Sequence, residues 1–161
     1  MGHAVGVDII EIDRIEATLA RHGQRFLKRV YTPLEIAYCR GKSHRLAGRF
    51  AAKEATMKAL GTGVRGVSWR DVEVIPNRRG KPLLYLHGGA LARAREIKLH
   101  DAEVSLTHSR NHAMAVTAVH RGRVRRSHLV GRWHRQWLAG PGGPAAGRDG
   151  PGRCRGHWRW G

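Results

Sequence analysis

Cysteine, acidic residues and long apolar runs are all scarce in this chain of 161 residues. Its only two cysteines, Cys39 and Cys154, lie far apart and argue against a disulfide framework, so we expect a reduced, cytosolic setting. No apolar stretch approaches the roughly 20 residues that a membrane span requires, and the N-terminus lacks the pattern of a signal peptide. We therefore expect a soluble protein with no membrane association.

Acidic residues number 12 against 30 lysines and arginines, which gives a formal net charge of +18. An excess of this size is typical of proteins that bind nucleic acid. Residues 1–120, however, carry 20 basic against 11 acidic side chains, and residues 121–161 carry ten arginines against one aspartate. Each part thus contributes +9. The nucleic-acid interpretation therefore depends on the last quarter of the chain, where four of the five tryptophans lie among arginines.

Residues 121–161 also differ from the rest in composition. They hold ten of the 21 glycines and half of the six prolines, contain no lysine, and show no sustained apolar periodicity. Such a sequence cannot bury enough apolar area to offset its ordering entropy. We predict one folded domain over residues 1–120 and a disordered tail over residues 121–161. Because GC-rich codons in an unselected reading frame give the same composition, one hypothesis is a lineage-specific or erroneous extension.

The order of the predicted elements indicates an α+β domain, with helices at the front and mostly antiparallel strands behind them. The apolar, β-branched run at residues 3–10 predicts a buried strand, and Asp13 is a candidate N-cap for the next helix, which ends at Gly23. The remaining predicted elements are helices at 24–31, from Thr32-Pro33, at 43–60 and at 88–99, and strand pairs at 71–75/82–87 and 103–107/112–119.

Four residues of the predicted 43–60 helix share one face, because Ala47, Ala51, Glu54 and Lys58 follow the i, i+4, i+7 and i+11 spacing. The two alanines predict open space beside a carboxylate and an ammonium, where a ligand could lie. The ordinary alternative is that Glu54 and Lys58 form a surface ion pair that contributes roughly 0.2–0.5 kcal/mol.

Asp8 lies in an otherwise apolar strand, among valines and isoleucines. Burying an unpaired carboxylate costs several kcal/mol, so we expect this side chain to lie at a strand end, in an ion pair or on a metal. Mg²⁺ typically takes one or two protein carboxylates and completes its shell with water and substrate phosphate. Asp8 and Glu54 together would supply such a site.

Four sequence blocks occur in a fixed order and cover almost all of residues 1–120: GVDIIEIDRI, AGRFAAKEATMKALGTG, GKP and VSLTHSRNHAMAV. This set resembles the holo-acyl-carrier-protein synthases, the small 4′-phosphopantetheinyl transferases. The resemblance implies their fold and Mg²⁺ binding by Asp8 and Glu54. It also implies transfer of 4′-phosphopantetheine from coenzyme A to a serine of apo acyl carrier protein, in fatty acid biosynthesis. A metal-dependent phosphohydrolase with water as nucleophile stays open as an alternative.

Within that resemblance, phosphoryl transfer requires charge neutralisation and a positioned nucleophile. We therefore assign Lys58 to the phosphates, and Glu54 or a water that it orients to the serine proton. The matching THS segment places Thr107 and His108 at the coenzyme A site, although a histidine here could simply cap a hairpin. Arg49 and Lys81 are further candidates for binding phosphate, and exposed basic residues often only face solvent.

The carrier protein is expected to be acidic, and the basic residues of the N-terminal region are candidates for binding it. The resemblance implies this role for Arg14, and Arg21 follows at i+7. Arg25 and Lys28 would continue the same face only if one helix ran through Gly23. The family further implies a homotrimer with active sites between subunits.

Overall fold

The structure, a computed structural model, describes residues 2–122. Its elements are β1 (Gly2–Glu11), α1 (Ile12–Val30), α2 (Pro33–Cys39), α3 (Ser43–Leu60), a 3₁₀ turn (Trp69–Asp71), β2 (Val72–Pro76), β3 (Pro82–Leu86), α4 (Gly88–Glu96), β4 (Leu99–His108) and β5 (His112–Arg121). The predicted α+β class is confirmed. Beyond Gly122, the predicted tail lies outside the described residues.

The strands form two antiparallel sheets, as the sequence predicted. β5 lies at the centre of a three-stranded sheet in the order β1-β5-β4, and β2 pairs with β3 in a two-stranded sheet. The small, apolar β5 places Ala113, Ala115 and Val119 in the core. Asp8 pairs with Ala115 of the central strand β5. It therefore lies inside β1 and not at the end of the strand.

Helix α3 packs on the inner face of the larger sheet at very short range. Gly6 of β1 permits this approach, because a Cβ at that position would overlap the Ala55 carbonyl oxygen and lie 2.8 Å from Ala59 N. Thr56 Oγ1 of the helix also lies 3.0 Å from Thr117 Oγ1 of β5, inside the core. The helix that carries Glu54 and Lys58 is therefore fixed against the strand that carries Asp8.

Helix α1 departs from the prediction at its start. It begins at Ile12 behind Glu11, which makes no side-chain capping bond, so Asp13 lies in the first turn and the predicted Asp13 N-cap is wrong. The chain enters the helix directly from β1 because Ile12 N donates to Asn111 O at 2.8 Å and thereby gains a partner. The predicted break is confirmed, since Gly23 has non-helical angles (φ 49, ψ −128) and kinks α1 at that point.

Helix α2 begins as predicted at Thr32-Pro33. Thr32 and Glu35 form a reciprocal capping box, in which the Thr32 side chain accepts from Glu35 N and Glu35 accepts from Thr32 N. The buried Tyr31 hydroxyl just before it donates to Leu46 O of α3 at 3.1 Å. Among residues 2–122, the structure contains no helix long and apolar enough to cross a membrane.

Candidate functional site

Asp8 and Lys58 meet where β1 crosses α3. Lys58 Nζ donates to Asp8 Oδ1 at 2.8 Å and to Val7 O at 3.1 Å; the Asp8 side chain is 11% exposed and that of Lys58 is 47% exposed. The hydrogen bond to Asp8 raises the pKa of Lys58, partial burial opposes it, and the charges of Asp8 and Glu54 raise it further. Lys58 is thus a charged donor on a half-exposed side chain, with one N–H group left after its bonds to Asp8 and Val7 O.

Glu54 lies one helical turn before Lys58 on the same face of α3 and is half-buried. Two carboxylates and one ammonium therefore share a single patch, with Lys58 bound to Asp8 rather than to its i−4 neighbour. Within residues 2–122 no group of three or more His, Cys, Asp or Glu side chains is arranged to hold a metal ion. A pair of carboxylates fits a hard cation that completes its shell with water and phosphate, as Mg²⁺ does.

The ligand space predicted beside Ala47 and Ala51 is absent, so that expectation is wrong. Both alanines are 0% exposed, because the sheet packs directly onto this part of α3. Gly48 fits the same close packing, since a Cβ there would lie 3.8 Å from the Leu106 side chain. The small residues of α3 allow the sheet to approach, and only Glu54 and Lys58 of the predicted face reach the surface region.

Basic and aromatic side chains also lie along the first half of α3, in two places on different sides of the helix. The rings of His44 and His108 stack with centroids 5.3 Å apart, and burial, followed by the nearby His108, lowers the pKa of His44. The Arg49 guanidinium lies 4.3 Å above the Tyr38 ring, and its Nη1 donates to Arg45 O. Arg49 Nε is buried without a hydrogen-bond partner among the described residues.

Sequence reasoning missed the contribution of His44, although one signal was present. The first turn of α3 contains no acidic residue but does contain His44 and Arg45. Cations are unfavourable at a helix N-terminus, where the macrodipole favours negative charge. The helix dipole therefore does not explain these basic residues, which makes His44 a candidate for another role.

Neither the His44–His108 pair nor Arg49 meets Glu54 and Lys58 within one chain. His44 precedes Glu54 by ten residues and Lys58 by fourteen, which corresponds to about 15 Å and 21 Å along the helix axis. Arg49 also lies about 140° around the helix from Glu54. The structure therefore brings Asp8, Glu54 and Lys58 together, places Thr107 and His108 at the end of β4, where His108 stacks on His44, and leaves Arg49 apart from both, buried against Tyr38 of α2.

The other predicted residues are exposed in different places. Lys81 lies next to β3 and its Nζ forms an ion pair with Glu103 of β4, 2.8 Å from Oε2. Arg14 and Arg21 both lie on α1 before the Gly23 kink, seven residues and about two turns apart, so they share a face. Because the helix breaks at Gly23, Arg25 and Lys28 do not simply continue that face.

Comparisons with known proteins point to one family. Residues 4–117 match the family model of the 4′-phosphopantetheinyl transferase superfamily. A holo-[acyl-carrier-protein] synthase of Herpetosiphon aurantiacus is 50% identical over 117 residues, which span 68% of this chain and 92% of that relative. The crystal structure of the Helicobacter pylori holo-[acyl-carrier-protein] synthase in complex with coenzyme A is similar with a TM-score of 0.67 and 33% identity, covering 72% of this chain and 99% of that one. The corresponding Bacillus anthracis structure, in complex with CoA (3′,5′-ADP), has a TM-score of 0.61 and 34% identity, covering 74% and 96%.

Proposed function

Because the chain belongs to the 4′-phosphopantetheinyl transferase superfamily, we propose that it transfers 4′-phosphopantetheine from coenzyme A to a serine hydroxyl of apo acyl carrier protein. The predicted family and enzyme class are confirmed. The observation that carries the proposed chemistry is the patch of Asp8, Glu54 and Lys58, with Lys58 Nζ 2.8 Å from Asp8 Oδ1. The pathway we propose for the product is fatty acid biosynthesis.

The carboxylates of Asp8 and Glu54 would hold Mg²⁺, which when bound neutralises charge on the pyrophosphate of coenzyme A. Lys58 keeps its bonds to Asp8 and Val7 O and offers its third N–H group to a phosphate oxygen. Glu54, directly or through a water that it orients, accepts the serine proton. The serine oxygen bonds to the phosphorus on the pantetheine side, the bond from that phosphorus to the bridging oxygen breaks, and adenosine 3′,5′-bisphosphate leaves.

His44, Thr107 and His108 form the second half of the proposed coenzyme A site. Their imidazole and hydroxyl groups can donate to a phosphate, whereas the predicted candidate Arg49 is only 6% exposed and lies against Tyr38. Since His44 lies about 15 Å and 21 Å along α3 from Glu54 and Lys58 of its own chain, we place the complete site between two subunits. Each site would join one subunit's carboxylates and Lys58 to the neighbour's phosphate-binding group.

An exposed apolar face supports that assembly. Val5, Val7 and Ile9 of β1 are 66%, 48% and 62% exposed, on the side of the sheet opposite α3. Val7 is opposite Val116 and Ile9 is opposite Met114 on β5, so the apolar surface continues across two strands. Contiguous exposed apolar surface of this kind typically marks a protein interface, and we assign it to a homotrimer.

The assembly can be tested by adding a charge to this face. Val5→Lys places an ammonium on the apolar surface without disturbing the monomer core, so we expect the trimer to dissociate in sedimentation velocity experiments. Val64→Lys is the matched control, because Val64 is 62% exposed in a loop outside the sheet. A Val5→Lys protein that sediments like the wild type would contradict the assigned interface.

Carrier binding is assigned to the exposed face of α1 that presents Arg14 and Arg21. The expected partner surface is acidic, so complex formation should weaken as salt screens the charges. Exchanging both arginines for glutamate should raise KM for the carrier protein and leave KM for coenzyme A unchanged. Equal effects on both constants would contradict this assignment.

The transfer itself is tested by incubating the protein with coenzyme A and Mg²⁺, with and without apo carrier protein, and measuring the mass of the carrier. Asp8→Ala, Glu54→Ala and Lys58→Ala should each reduce transfer by about 100-fold or more while remaining folded, as expected for groups that stabilise the transition state. Bisphosphate release that does not depend on the carrier protein would instead indicate a phosphohydrolase.

A further inference from the structure

Lys53, the residue immediately before Glu54, is fully buried. It occupies the i+7 position of the core-facing stripe that begins at Leu46 and includes Phe50 and Met57, where an apolar side chain would be expected. Its side chain is 0% exposed, and it forms an ion pair with Glu35 Oε2 at 2.8 Å. A charged residue at this position needs an explanation.

The ammonium of Lys53 has an acceptor for each of its three N–H groups. Besides Glu35, it donates to Trp69 O at 3.0 Å and to Val72 O. These acceptors come from α2, from the 3₁₀ turn and from the start of β2. A single side chain of α3 is therefore bonded to three separate segments.

Glu35, the partner carboxylate, is equally well satisfied. Its Oε2 accepts from Thr32 N at 2.9 Å and its Oε1 accepts from Val74 N at 2.9 Å. The two charged groups cannot exchange places, because backbone carbonyls bind the ammonium and backbone N–H groups bind the carboxylate. Both partners are 0% exposed.

Stability alone does not account for such a pair, since well-packed apolar residues of similar volume are often as stable or more stable than a buried ion pair. The pair does fix the rotation and axial position of α3. A rotation of about 20° on a radius of about 2.3 Å moves each Cα by about 0.8 Å, and side-chain ends further from the axis move more. The Asp8, Glu54 and Lys58 patch would lose its geometry under a rotation of this size.

We propose that Lys53, through its buried bond to Glu35, is a positioning residue that holds Glu54 and Lys58 against Asp8. This inference rests on the proposed function, because the patch matters only if it binds metal and phosphate. Lys53 itself contacts neither, as its side chain is enclosed by α2, the 3₁₀ turn and β2.

The informative variant replaces both partners, because Lys53→Met alone leaves an unpaired buried carboxylate and can fail to fold. In Lys53→Met/Glu35→Leu no buried charge is left unpaired and the bonds that orient α3 are lost, but Thr32 N and Val74 N also lose their acceptor, so the variant is expected to be destabilised. Leu86→Ala, a core truncation in β3, is the control for reduced stability, since Leu86 is 2% exposed and belongs to the other sheet.

Three quantities are measured for each protein: the urea unfolding midpoint, kcat for transfer, and the binding of Mn²⁺ in the presence of adenosine 3′,5′-bisphosphate by electron paramagnetic resonance. Under conditions where both variants are folded by the urea curves, we expect kcat of the double variant to be about tenfold or more below that of Leu86→Ala and Mn²⁺ to bind about fivefold or more weakly, because a displacement near 1 Å can cost about 100-fold in rate. Wild-type kcat and Mn²⁺ binding in the double variant, or losses equal to those of Leu86→Ala, would overturn the proposal. If the wild-type protein transfers nothing, the proposed function fails, whereas the Mn²⁺ comparison still decides whether Lys53 positions the carboxylates.

Discussion

One added methyl group at Gly6 should disturb both the core and the site. A Cβ at this position would overlap the carbonyl oxygen of Ala55 and lie 2.8 Å from Ala59 N. Both neighbours are backbone atoms of α3, so no side chain can rotate away to make room. In Gly6→Ala, β1 and α3 must therefore separate.

The size of that separation can be worked from the contact to Ala59. Ordinary van der Waals contact of a Cβ begins at 3.4 Å, so clearing this atom alone requires a shift of about 0.6 Å, and clearing the Ala55 oxygen requires more. Overpacking of this kind costs about 1–3 kcal/mol. Because Asp8 follows Gly6 by two residues, the same shift moves Asp8 away from Glu54 and Lys58, and we expect transfer to slow by about tenfold or more.

Urea unfolding and a transfer assay measure the two effects. With an m-value of about 1.5 kcal/mol/M, a loss of 2 kcal/mol lowers the midpoint by about 1.3 M. Gly2→Ala is the matched control on the same strand, since nothing lies within 4 Å of a Cβ at that position. A Gly6→Ala protein with wild-type midpoint and rate would refute the close packing of β1 on α3.

Three further predictions concern stability and titration. Thr32→Ala removes one half of the α2 capping box and should cost about 0.5–2 kcal/mol in urea unfolding, whereas an effect below 0.3 kcal/mol would contradict the cap. Thr56→Val should cost about 1–3 kcal/mol by leaving the buried Thr117 hydroxyl without its partner, Thr117→Val should cost less because Thr56 Oγ1 still donates to Ala52 O at 2.7 Å, and the double variant should cost less than the sum of the two. His44 should titrate below 6.5 by NMR, because burial lowers its pKa. The unfolded chain then binds more protons, so this contribution to stability is lost as the pH falls from about 6.5 through the folded-state pKa, and a titration midpoint above 6.5 would contradict it.

The fold was largely predictable because local signals agreed with it. Pro33 after Thr32, Gly61 after α3 and the turn residues between β2 and β3 mark boundaries that need no tertiary information. The start of α1 was not predictable in this way. Asp13 has the chemistry of a cap, but the first helical donor, Ile12 N, is satisfied by Asn111 O about a hundred residues away in the sequence.

The site was predictable in composition and only partly in arrangement. Helical spacing and an isolated Asp8 predicted the carboxylates and Lys58, but the same spacing wrongly predicted ligand space at Ala47 and Ala51. A small residue on a helix can make room for a ligand or for a neighbouring strand. In α3 the space is filled by the sheet, because Gly6 lets β1 approach the helix backbone closely. The stripe from Leu46 contained a further signal, because its i+7 position is Lys53, which the pattern places in the core.

The central claim is that the transfer site is completed by two subunits, and complementation tests it directly. Glu54→Ala and His108→Ala should each be nearly inactive alone. When the two proteins are refolded together at equal amounts, half of the subunits supply Glu54 and half supply His108. About a quarter of the sites in a randomly assembled ring should then be intact, so about a quarter of the wild-type transfer rate should return. Mixed rings that form but remain as inactive as the separate variants would contradict a site shared between subunits.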